Sequence, residues 1–264
     1  MLEIKEVYKT FHPGTVNEKR ALNGVSLTLR DGEFATVIGS NGAGKSTLLN
    51  AVAGLWPIDS GSIAIDGVDL THLPEYKRSA YIGRVFQDPM MGTAASMQIE
   101  ENLALAARRG EHRTLRRGIT RAERESYREL LRSLDLGLED RMTAKVGLLS
   151  GGQRQALTLL MATLREPRLL LLDEHTAALD PKTAAKVLET TEQVVSRSKL
   201  TTLMITHNMK DAIAHGDRLI MMHDGRIVID VCGEEKKKLT VEKLLEQFGQ
   251  VSGSDEADDK LLLS

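Results

Sequence analysis

Hydrophobic and polar residues along this chain form short strand-like and helical segments that alternate. Short apolar runs at residues 34–38 and 169–172 predict buried strands. Residues 25–29 alternate like a half-buried strand, and residues 201–205 predict another strand. Further strands are predicted at residues 62–65 and 79–86 and at the charged, strand-like N-terminus. Strands that alternate with helices predict an α/β layer architecture.

Local signals define three further segments. A glycine-rich loop at residues 39–44 leads into a helix predicted at residues 45–55, and a second helix is predicted at residues 181–196. Residues 218–230 predict a β-hairpin, because the Asp-Gly pair at its centre is a strong signal for a type I′ turn.

The middle of the chain has a helical pattern from about residue 89 to residue 166, with IEENLALAARR and RAERESYRELLRSLDL as its clearest segments. We interpret this stretch as a helical subdomain inserted into a single domain of residues 1–250. The tail, residues 251–264, is polar and acidic and is predicted to be disordered. Residues 108–124 carry seven arginines, which we interpret as a solvated helical face, with contact to lipid headgroups or a partner loop as the alternative.

Composition and charge argue against several classes of protein. The chain has 264 residues, 41% hydrophobic and 27% charged, which is ordinary for a globular domain with a substantial core. Its formal net charge of −2 does not fit a strongly basic nucleic-acid-binding protein, so no nucleic acid is expected as a partner. Cys232 is the only cysteine, so no intrachain disulfide or cysteine-cluster metal site is expected. No stretch approaches the ~18 consecutive apolar residues of a membrane span, so a role in transport would need another chain to cross the membrane.

The string GSNGAGKST matches the phosphate-loop pattern G-x-x-x-x-G-K-[ST], with a strand before it and a helix after it. Gly42 and Gly44 lack a Cβ atom, so the backbone N–H groups can approach the phosphates closely at a helix N-terminus. Lys45 is predicted to reach the β- and γ-phosphates, and the Ser46 hydroxyl is predicted to bind Mg²⁺. The residues predicted to bind the nucleotide here are Gly39, Ser40, Asn41, Gly42, Ala43, Gly44, Lys45, Ser46 and Thr47.

A second candidate site lies at the end of the apolar run that finishes in Asp173 and Glu174. An apolar strand that ends in two acids places both carboxylates at the carboxyl edge of a parallel sheet, where ligands bind in open α/β folds. Asp173 is the expected Mg²⁺ partner, directly or through water. Glu174 is predicted to orient or deprotonate the attacking water.

With these residues placed, the chain resembles the nucleotide-binding domains of ATP-binding cassette (ABC) transporters over roughly residues 1–230. The most specific element is LSGGQRQ at residues 149–155, which is similar to the signature motif of that family. The resemblance implies an α/β P-loop NTPase (RecA-like) core with an antiparallel β subdomain and an inserted α-helical subdomain. It also implies an ATPase that uses ATP and Mg²⁺.

Four more residues lie in segments that resemble family motifs. Gln87 in VFQDP resembles the glutamine that senses Mg²⁺ and water, and His207 in MITHN resembles the switch histidine that contacts the γ-phosphate. Asp180 in AALD resembles the loop that signals between two ATP sites. Phe11 in YKTF aligns best with the aromatic residue that stacks on adenine, and Tyr8 is the competing candidate.

Three positions depart from the family pattern. His175 stands where proline usually follows the Asp-Glu pair, Ala177 replaces a common serine, and Ala156 stands where arginine is frequent. The core catalytic positions are nevertheless all filled, so we expect an active enzyme.

The resemblance implies that two copies of the chain act together. The signature motif of one copy would contact the ATP bound to the phosphate loop of the other, so that hydrolysis removes shared γ-phosphate contacts and opens the dimer. The signature residues predicted to bind nucleotide in this way are Ser150, Gly151, Gly152 and Gln153. A membrane permease would follow this opening and closing through the groove near Gln87.

The strings DEHTAALDPKTA and NEKRALNGVSL resemble a bacterial subgroup that is usually paired with an importer permease and a substrate-binding lipoprotein. That subgroup is linked with amino-acid-like solutes, aromatic ones included. We therefore expect a cytoplasmic subunit that is peripheral on the inner face of the cell membrane through its permease, with a solute-binding protein as a further partner.

Other functions stay open at this point. A cassette ATPase that couples ATP to a regulatory or division partner in the membrane would carry the same motor residues. A DNA-associated cassette ATPase is less favoured, because such proteins often have long coiled coils between the phosphate loop and the signature. Here the segment between Lys45 and Ser150 has no sustained heptads. A small-molecule kinase with the same phosphate loop would have no reason to carry LSGGQ.

Overall fold

The computed structural model describes residues 1–111 and 118–252. Three of the seven arginines noted above, Arg113, Arg116 and Arg117, lie outside the described residues, as does the predicted disordered tail from residue 253 onward. Within the described residues, no helix is long and apolar enough to cross a membrane.

Strands and helices alternate along most of the chain. The strands are β1 (Leu2–Phe11), β2 (Lys19–Leu29), β3 (Phe34–Ile38), β4 (Ser60–Ile65), β5 (Val68–Asp69), β6 (Ile82–Val85), β7 (Leu169–Asp173), β8 (Thr202–Ile205), β9 (Arg218–His223) and β10 (Arg226–Cys232). The helices are α1 (Lys45–Ala53), α2 (Glu75–Arg78), α3 (Ile99–Ala107), α4 (Arg121–Arg132), α5 (Gly151–Thr163), α6 (Pro181–Ser198), α7 (Met209–Ala214), α8 (Gly233–Lys237) and α9 (Val241–Ser252).

The strands form two sheets of different character. The first sheet has the order β2-β1-β4-β5, and all of its neighbours pair antiparallel. The second has the order β10-β9-β3-β8-β7-β6, and its neighbours pair in parallel except for β10 with β9. Helices α3, α4 and α5 lie in the segment between β6 and β7. This arrangement agrees with the predicted α/β architecture.

Apolar side chains from both sheets meet around α1. Leu48 and Leu49 of this helix are buried in one hydrophobic cluster with Leu2, Ile63 and Ile220. Burying one such side chain stabilises a fold by about 1.5–3 kcal/mol. This packing holds α1, and therefore the loop that precedes it, against the parallel sheet.

Several arginines of the helical region make contacts within the chain. Arg124 of α4 forms two hydrogen bonds of 2.7 Å with Glu100 of α3. Arg108 bonds Glu123 at 3.0 Å, and Arg109 donates to the carbonyl of α5 residue Ala162 at 3.1 Å. Arg108 and Arg124 keep 36% and 48% of their side chains exposed, which agrees with a solvated face, whereas Arg109 packs against α5 and does not fit that interpretation.

The register of the parallel sheet brings the predicted motifs to one edge. Val37 of β3 and Asp173 of β7 both pair with Ile205 of β8, from its two sides. The phosphate loop, the Asp-Glu pair and the segment that follows β8 therefore all leave the sheet at the same level. Ligands of open α/β sheets bind at this carboxyl edge.

The predicted hairpin is observed, whereas two predicted strand starts are wrong. His223 pairs with Arg226, so Asp224 and Gly225 form a two-residue turn, and their φ angles of 46° and 73° fit type I′. The strand predicted from residue 79 begins only at Ile82, because α2 precedes it. The strand predicted from residue 25 begins at Lys19, and helices α2, α7, α8 and α9 were not predicted.

Candidate functional site

The phosphate loop has a backbone that only glycine can follow at two positions. Gly39 has φ 146°, and a Cβ atom there would lie 2.2 Å from the Met222 carbonyl oxygen. Gly44 has φ 102°, and a Cβ atom there would lie 2.4 Å from the Ala21 carbonyl oxygen. Gly44 is the N-cap of α1 and provides no side-chain cap, so the first N–H groups of the helix are free of a side-chain acceptor. An anion such as phosphate suits such a helix start.

Lys45 lies folded across this loop. Its side chain is buried, and its Nζ atom donates to the carbonyls of Gly39 at 2.6 Å and Ser40 at 3.1 Å. Burial lowers the pKa of Lys45, and the negative charge of Glu174 opposes that shift. The ammonium is thus held at the loop, near the predicted catalytic carboxylate.

A cavity of about 180 Å³ lies over the loop. The predicted residues that line it are Phe11, Asn41, Gly42, Gly44, Lys45, Ser46, Thr47 and Glu174. The structure therefore brings the predicted adenine platform, the phosphate loop and the predicted catalytic carboxylate to one cavity. Lys19 also lines it, although nothing in the sequence pattern had singled this residue out.

The two carboxylates have different surroundings. Asp173 accepts a hydrogen bond of 3.0 Å from Arg84 Nη2, and burial raises its pKa while Arg84 opposes the rise. Glu174 has φ 45°, a left-handed conformation that a non-glycine residue rarely adopts, and its N–H donates to the Ile205 carbonyl. Backbone strain of this kind concentrates at functional sites.

The segment after β8 supplies the predicted switch histidine. His207 Nδ1 lies 3.5 Å from the Glu174 carboxylate. Asn208 caps α7, since its side chain accepts from the N–H groups of Lys210 and Asp211. The start of α7 therefore fixes the backbone next to His207. Gln87 lines a second cavity, of about 460 Å³, together with Asp173.

Phe11 and Tyr8 differ in position, although both lie on β1. The Phe11 ring lines the cavity over the phosphate loop and meets Trp56 edge-to-face, with ring centroids 5.1 Å apart. Lys9 Nζ lies 5.6 Å from the Phe11 ring centroid. Tyr8 directs its hydroxyl to Glu6 at 3.4 Å. This geometry favours Phe11 as the adenine platform, and the assignment stays a prediction.

The signature residues lie apart from the phosphate-loop cavity. Ser150 caps α5 in a capping box with Gln153, and Asp180 caps α6 by accepting from Thr183 N–H. A Cβ atom on Gly152 would lie 2.2 Å from Thr183 Cγ2, so the two helix starts pack closely. Within the described residues, Ser150, Gly151, Gly152, Gln153 and Asp180 do not line that cavity.

Sequence reasoning missed the role of three residues around these motifs. Arg84 and Trp56 contact the predicted site residues Asp173 and Phe11, as described above. An arginine within the apolar string IGRVF was the available signal for Arg84. His175 was noted only as a departure from the family.

His175 is fully buried and follows Glu174, the predicted catalytic residue, in the chain. Its Nε2 atom lies 3.1 Å from the Thr191 hydroxyl, and burial lowers its pKa to about 4. The Thr191 hydroxyl donates its hydrogen to the Val187 carbonyl, so His175 Nε2 must be the donor to Thr191. A neutral histidine therefore ties the turn after Asp173 to α6.

Comparison with known proteins gives consistent matches. A family profile described as ABC transporter matches residues 22–177. The chain is 48% identical over 249 residues to a tyrosine transport ATP-binding protein of Clostridioides difficile, covering 94% of this chain and 98% of that protein. It is 33% identical to an energy-coupling factor transporter ATP-binding protein of Clostridium acetobutylicum, over 86% of this chain and 78% of that protein.

Among solved structures, the chain is similar to a dimeric post-hydrolysis state of an ATP-binding cassette bound to ADP and Pi. The TM-score is 0.75 at 29% sequence identity, with 88% of this chain and 98% of that chain covered.

Proposed function

Because the chain belongs to the ABC transporter family of ATP-hydrolysing cassettes, we propose that it drives a bacterial importer of a small amino-acid-like solute. The observation that carries this proposal is the 48% identity, over 94% of the chain, with a tyrosine transport ATP-binding protein. Import and the chemical class of the solute are the proposed part, whereas ATP binding and hydrolysis follow from the family.

The phosphate loop fits a nucleoside triphosphate. Gly39 and Gly44 adopt positive φ angles, and a Cβ atom at either position would clash with the carbonyl oxygen of Met222 or Ala21, so only glycine allows this loop conformation. The start of α1 offers N–H groups and the positive end of the helix dipole. Lys45 Nζ, which bonds loop carbonyls in this structure, would exchange those partners for phosphate oxygens.

The chemistry of the donor set also fits Mg²⁺, although Ser46 lines the cavity over the phosphate loop and Gln87 and Asp173 line the second cavity. Ser46, Gln87 and Asp173 offer hydroxyl, amide and carboxylate oxygens, the hard ligands that Mg²⁺ prefers. Among residues 1–111 and 118–252, no group of three or more His, Cys, Asp or Glu side chains could hold a metal alone. Phosphate oxygens would therefore complete the coordination, as is general for phosphate-loop enzymes. Bound Mg²⁺ neutralises charge on the phosphates.

Glu174 would perform the proton chemistry. Its carboxylate lines the cavity that also contains Lys45, and it can orient a water molecule and accept its proton. His207, 3.5 Å from that carboxylate, would hold the γ-phosphate and keep Glu174 in place. Attack by water on the γ-phosphorus then yields ADP and phosphate.

A second copy of the chain would complete each site. Ser150 and the glycines after it start α5 away from their own phosphate loop, which supports contact with a nucleotide on another copy. The similarity to a dimeric cassette with ADP and Pi supports the same arrangement. Asp180, at the start of α6, would then lie at the dimer interface.

The permease would dock in a wide cleft between β6 and the helical region. This cleft has a volume of about 1320 Å³ and is lined by apolar and basic side chains, among them Tyr76, Phe86, Leu105 and Arg109. Phe86 directly precedes Gln87, so a permease helix in this cleft would contact the segment that carries a predicted Mg²⁺ ligand. Docking there would make the chain peripheral on the cytoplasmic face of the membrane.

The partners can be tested directly. The tagged chain is purified from mildly solubilised native membranes, and uptake of labelled tyrosine and other amino acids is measured in cells that lack the chain. We expect a permease and a solute-binding protein to co-purify, and wild type but not Glu174→Gln to restore uptake. Co-purification of a division or DNA-associated protein, without a permease, would contradict the proposal.

A further inference from the structure

Arg84 is a buried cation between the proposed docking cleft and the proposed Mg²⁺ site. It lies on β6, its side chain is 11% exposed, and it lines both cavities. A single nitrogen, Nη2, donates to Asn50 Oδ1 at 2.8 Å and to Asp173 Oδ2 at 3.0 Å. The two acceptors belong to different elements, α1 and β7.

These two elements carry two of the three proposed Mg²⁺ ligands. Ser46 is the second residue of α1, one turn before Asn50, and Asp173 is the last residue of β7. Because one nitrogen bonds both Asn50 and Asp173, Arg84 links the helix that carries Ser46 to the strand that carries Asp173. It also occupies one carboxylate oxygen of Asp173 and leaves the other for a metal or its water.

The guanidinium is restrained from a third side. Its central carbon lies 4.5 Å from the Phe86 ring centroid, and the Phe86 carbonyl accepts from Gln155 Nε2 at 3.1 Å. Arg84 therefore has contacts with the segment that leads to Gln87, the third proposed Mg²⁺ ligand.

Arg84 uses only part of its hydrogen-bonding capacity. Nε and Nη1 are buried without a hydrogen-bond partner among the described residues. Unpaired buried N–H groups destabilise a fold. By contrast, Arg78, another buried arginine, donates four hydrogen bonds to backbone carbonyls.

We propose that Arg84 is a positioning residue for Mg²⁺ binding: it orients Asp173 and ties it to the helix that carries Ser46. This inference depends on the proposed Mg²⁺ site. Electrostatics alone would predict the reverse effect, because a cation beside Asp173 repels Mg²⁺. If removing Arg84 makes Mg²⁺ strengthen nucleotide binding less, Arg84 is a positioning residue. If it makes Mg²⁺ strengthen binding more, Arg84 competes with Mg²⁺ for Asp173.

The test measures how much Mg²⁺ strengthens nucleotide binding, without measuring turnover. The Kd of a fluorescent ATP analogue is determined with Mg²⁺ and with EDTA for the purified wild type, Arg84→Met and Arg84→Lys. For Arg84→Met we expect the ratio of the two Kd values to fall at least about fivefold, the lower end of typical coupling between ligands. The Kd in EDTA is expected to change little, and Arg84→Lys to restore part of the ratio.

Two further variants keep the result interpretable. Arg78→Met, which also removes a buried arginine but leaves Asp173 untouched, is expected to lower thermal stability and to leave the Kd ratio unchanged. Asn50→Leu, which breaks only the link to α1, is expected to lower the ratio less than Arg84→Met and serves as the test if Arg84→Met does not fold.

An unchanged or larger ratio in folded Arg84→Met, or in Asn50→Leu when Arg84→Met does not fold, would overturn the inference. If wild type itself gains no affinity from Mg²⁺, the proposed Mg²⁺ site fails instead.

Discussion

Glu174 is held by contacts on both sides of a strained turn. Its left-handed backbone, with φ 45°, costs on the order of 1–3 kcal/mol for a residue with a side chain. Its N–H donates to the Ile205 carbonyl of β8, and the next residue, His175, bonds Thr191 of α6. A strand and a helix thus impose a conformation that the local sequence would not adopt, and the carboxylate lies near His207 as a result.

Replacing Lys45 with alanine is expected to weaken ATP binding and abolish hydrolysis. The ammonium is buried at the loop, and hydrogen bonds to charged groups contribute about 1.5–3 kcal/mol, which corresponds to about 10- to 150-fold in Kd. Kd and ATPase rate of the purified variant are the measurements. Lys186→Ala, which removes an exposed lysine of α6, is the matched control and is expected to behave as wild type. Wild-type ATPase activity in Lys45→Ala would contradict the assignment.

Phe11→Ala is expected to raise the KM for ATP with a smaller effect on kcat. Stacking on adenine acts equally in the ground state and the transition state, and base stacking in nucleic-acid sites is worth about 1–3 kcal/mol. Because Trp56 is the only tryptophan and contacts Phe11, its fluorescence should change on ATP addition in wild type and not in Phe11→Ala. The reverse outcome, with the KM effect in Tyr8→Ala alone, would assign the platform to Tyr8.

Among the helices, α8 and α9 close the fold at its C-terminal side. Leu244 and Phe248 of α9 are buried in a cluster with Met221 of β9 and Ile229 of β10. Lys236 of α8 is buried, and its Nζ atom donates to the carbonyls of His215 and Gly216, just after α7. These helices therefore support α7, which begins next to His207.

Burial lowers the pKa of Lys236 to about 8, which predicts a pH dependence of stability. Between pH 8 and 10.5 the unfolded chain binds more protons at this residue than the folded chain does, so the free energy of unfolding rises with pH. The full effect is at most about 3 kcal/mol. Urea unfolding at pH 8 and pH 10 measures it.

Variants isolate this contribution from other groups that titrate in the same range. Lys236→Met is expected to lose the rise between pH 8 and pH 10, whereas Lys237→Met, which removes an exposed lysine from the same helix, is expected to keep it. An equal pH slope in Lys236→Met and wild type would refute the assignment.

At the scale of the whole molecule, two groups of motif residues lie apart within one chain. The phosphate loop, Phe11 and Glu174 share one cavity, and the signature residues start α5 elsewhere. Two copies related by a two-fold axis would place the signature residues of each copy against the phosphate-loop cavity of the other. This arrangement would make the dimer sensitive to the γ-phosphate, because that group would be the shared contact.

Glu174→Gln is expected to bind ATP, to hydrolyse it at least about 100-fold more slowly, and to form a stable homodimer in ATP. The amide keeps the shape of the carboxylate but cannot accept a proton. Light scattering of the purified variant should therefore give dimer mass in ATP and monomer mass in ADP.

Adding Ser150→Arg is expected to prevent that dimer, because a long side chain would occupy the γ-phosphate contact. A monomer in both nucleotides, at high protein concentration and saturating ATP, would count against the shared site. Dimer formation by the double variant would count against the role of Ser150.

The fold class was predictable from sequence and is confirmed as a P-loop NTPase core with an antiparallel sheet and an inserted helical region. Glycine spacing, an apolar run that ends in acids, and an Asp-Gly turn are local signals, because each depends on backbone geometry within a few residues. The identification as an ABC cassette ATPase is likewise confirmed. The roles of the individual site residues and the domain boundaries stay predictions.

Contacts between distant segments required the folded chain. Arg84 and Asp173 are 89 residues apart in the chain. Phe11 contacts Trp56 although β2, β3 and α1 lie between them in the chain. Local patterns cannot specify such pairs, since an arginine in an apolar strand has the same sequence signature with or without an acidic partner. Periodicity and spacing determine the local backbone conformation of neighbouring residues. The register of β3, β7 and β8 determines which distant side chains lie in the same site.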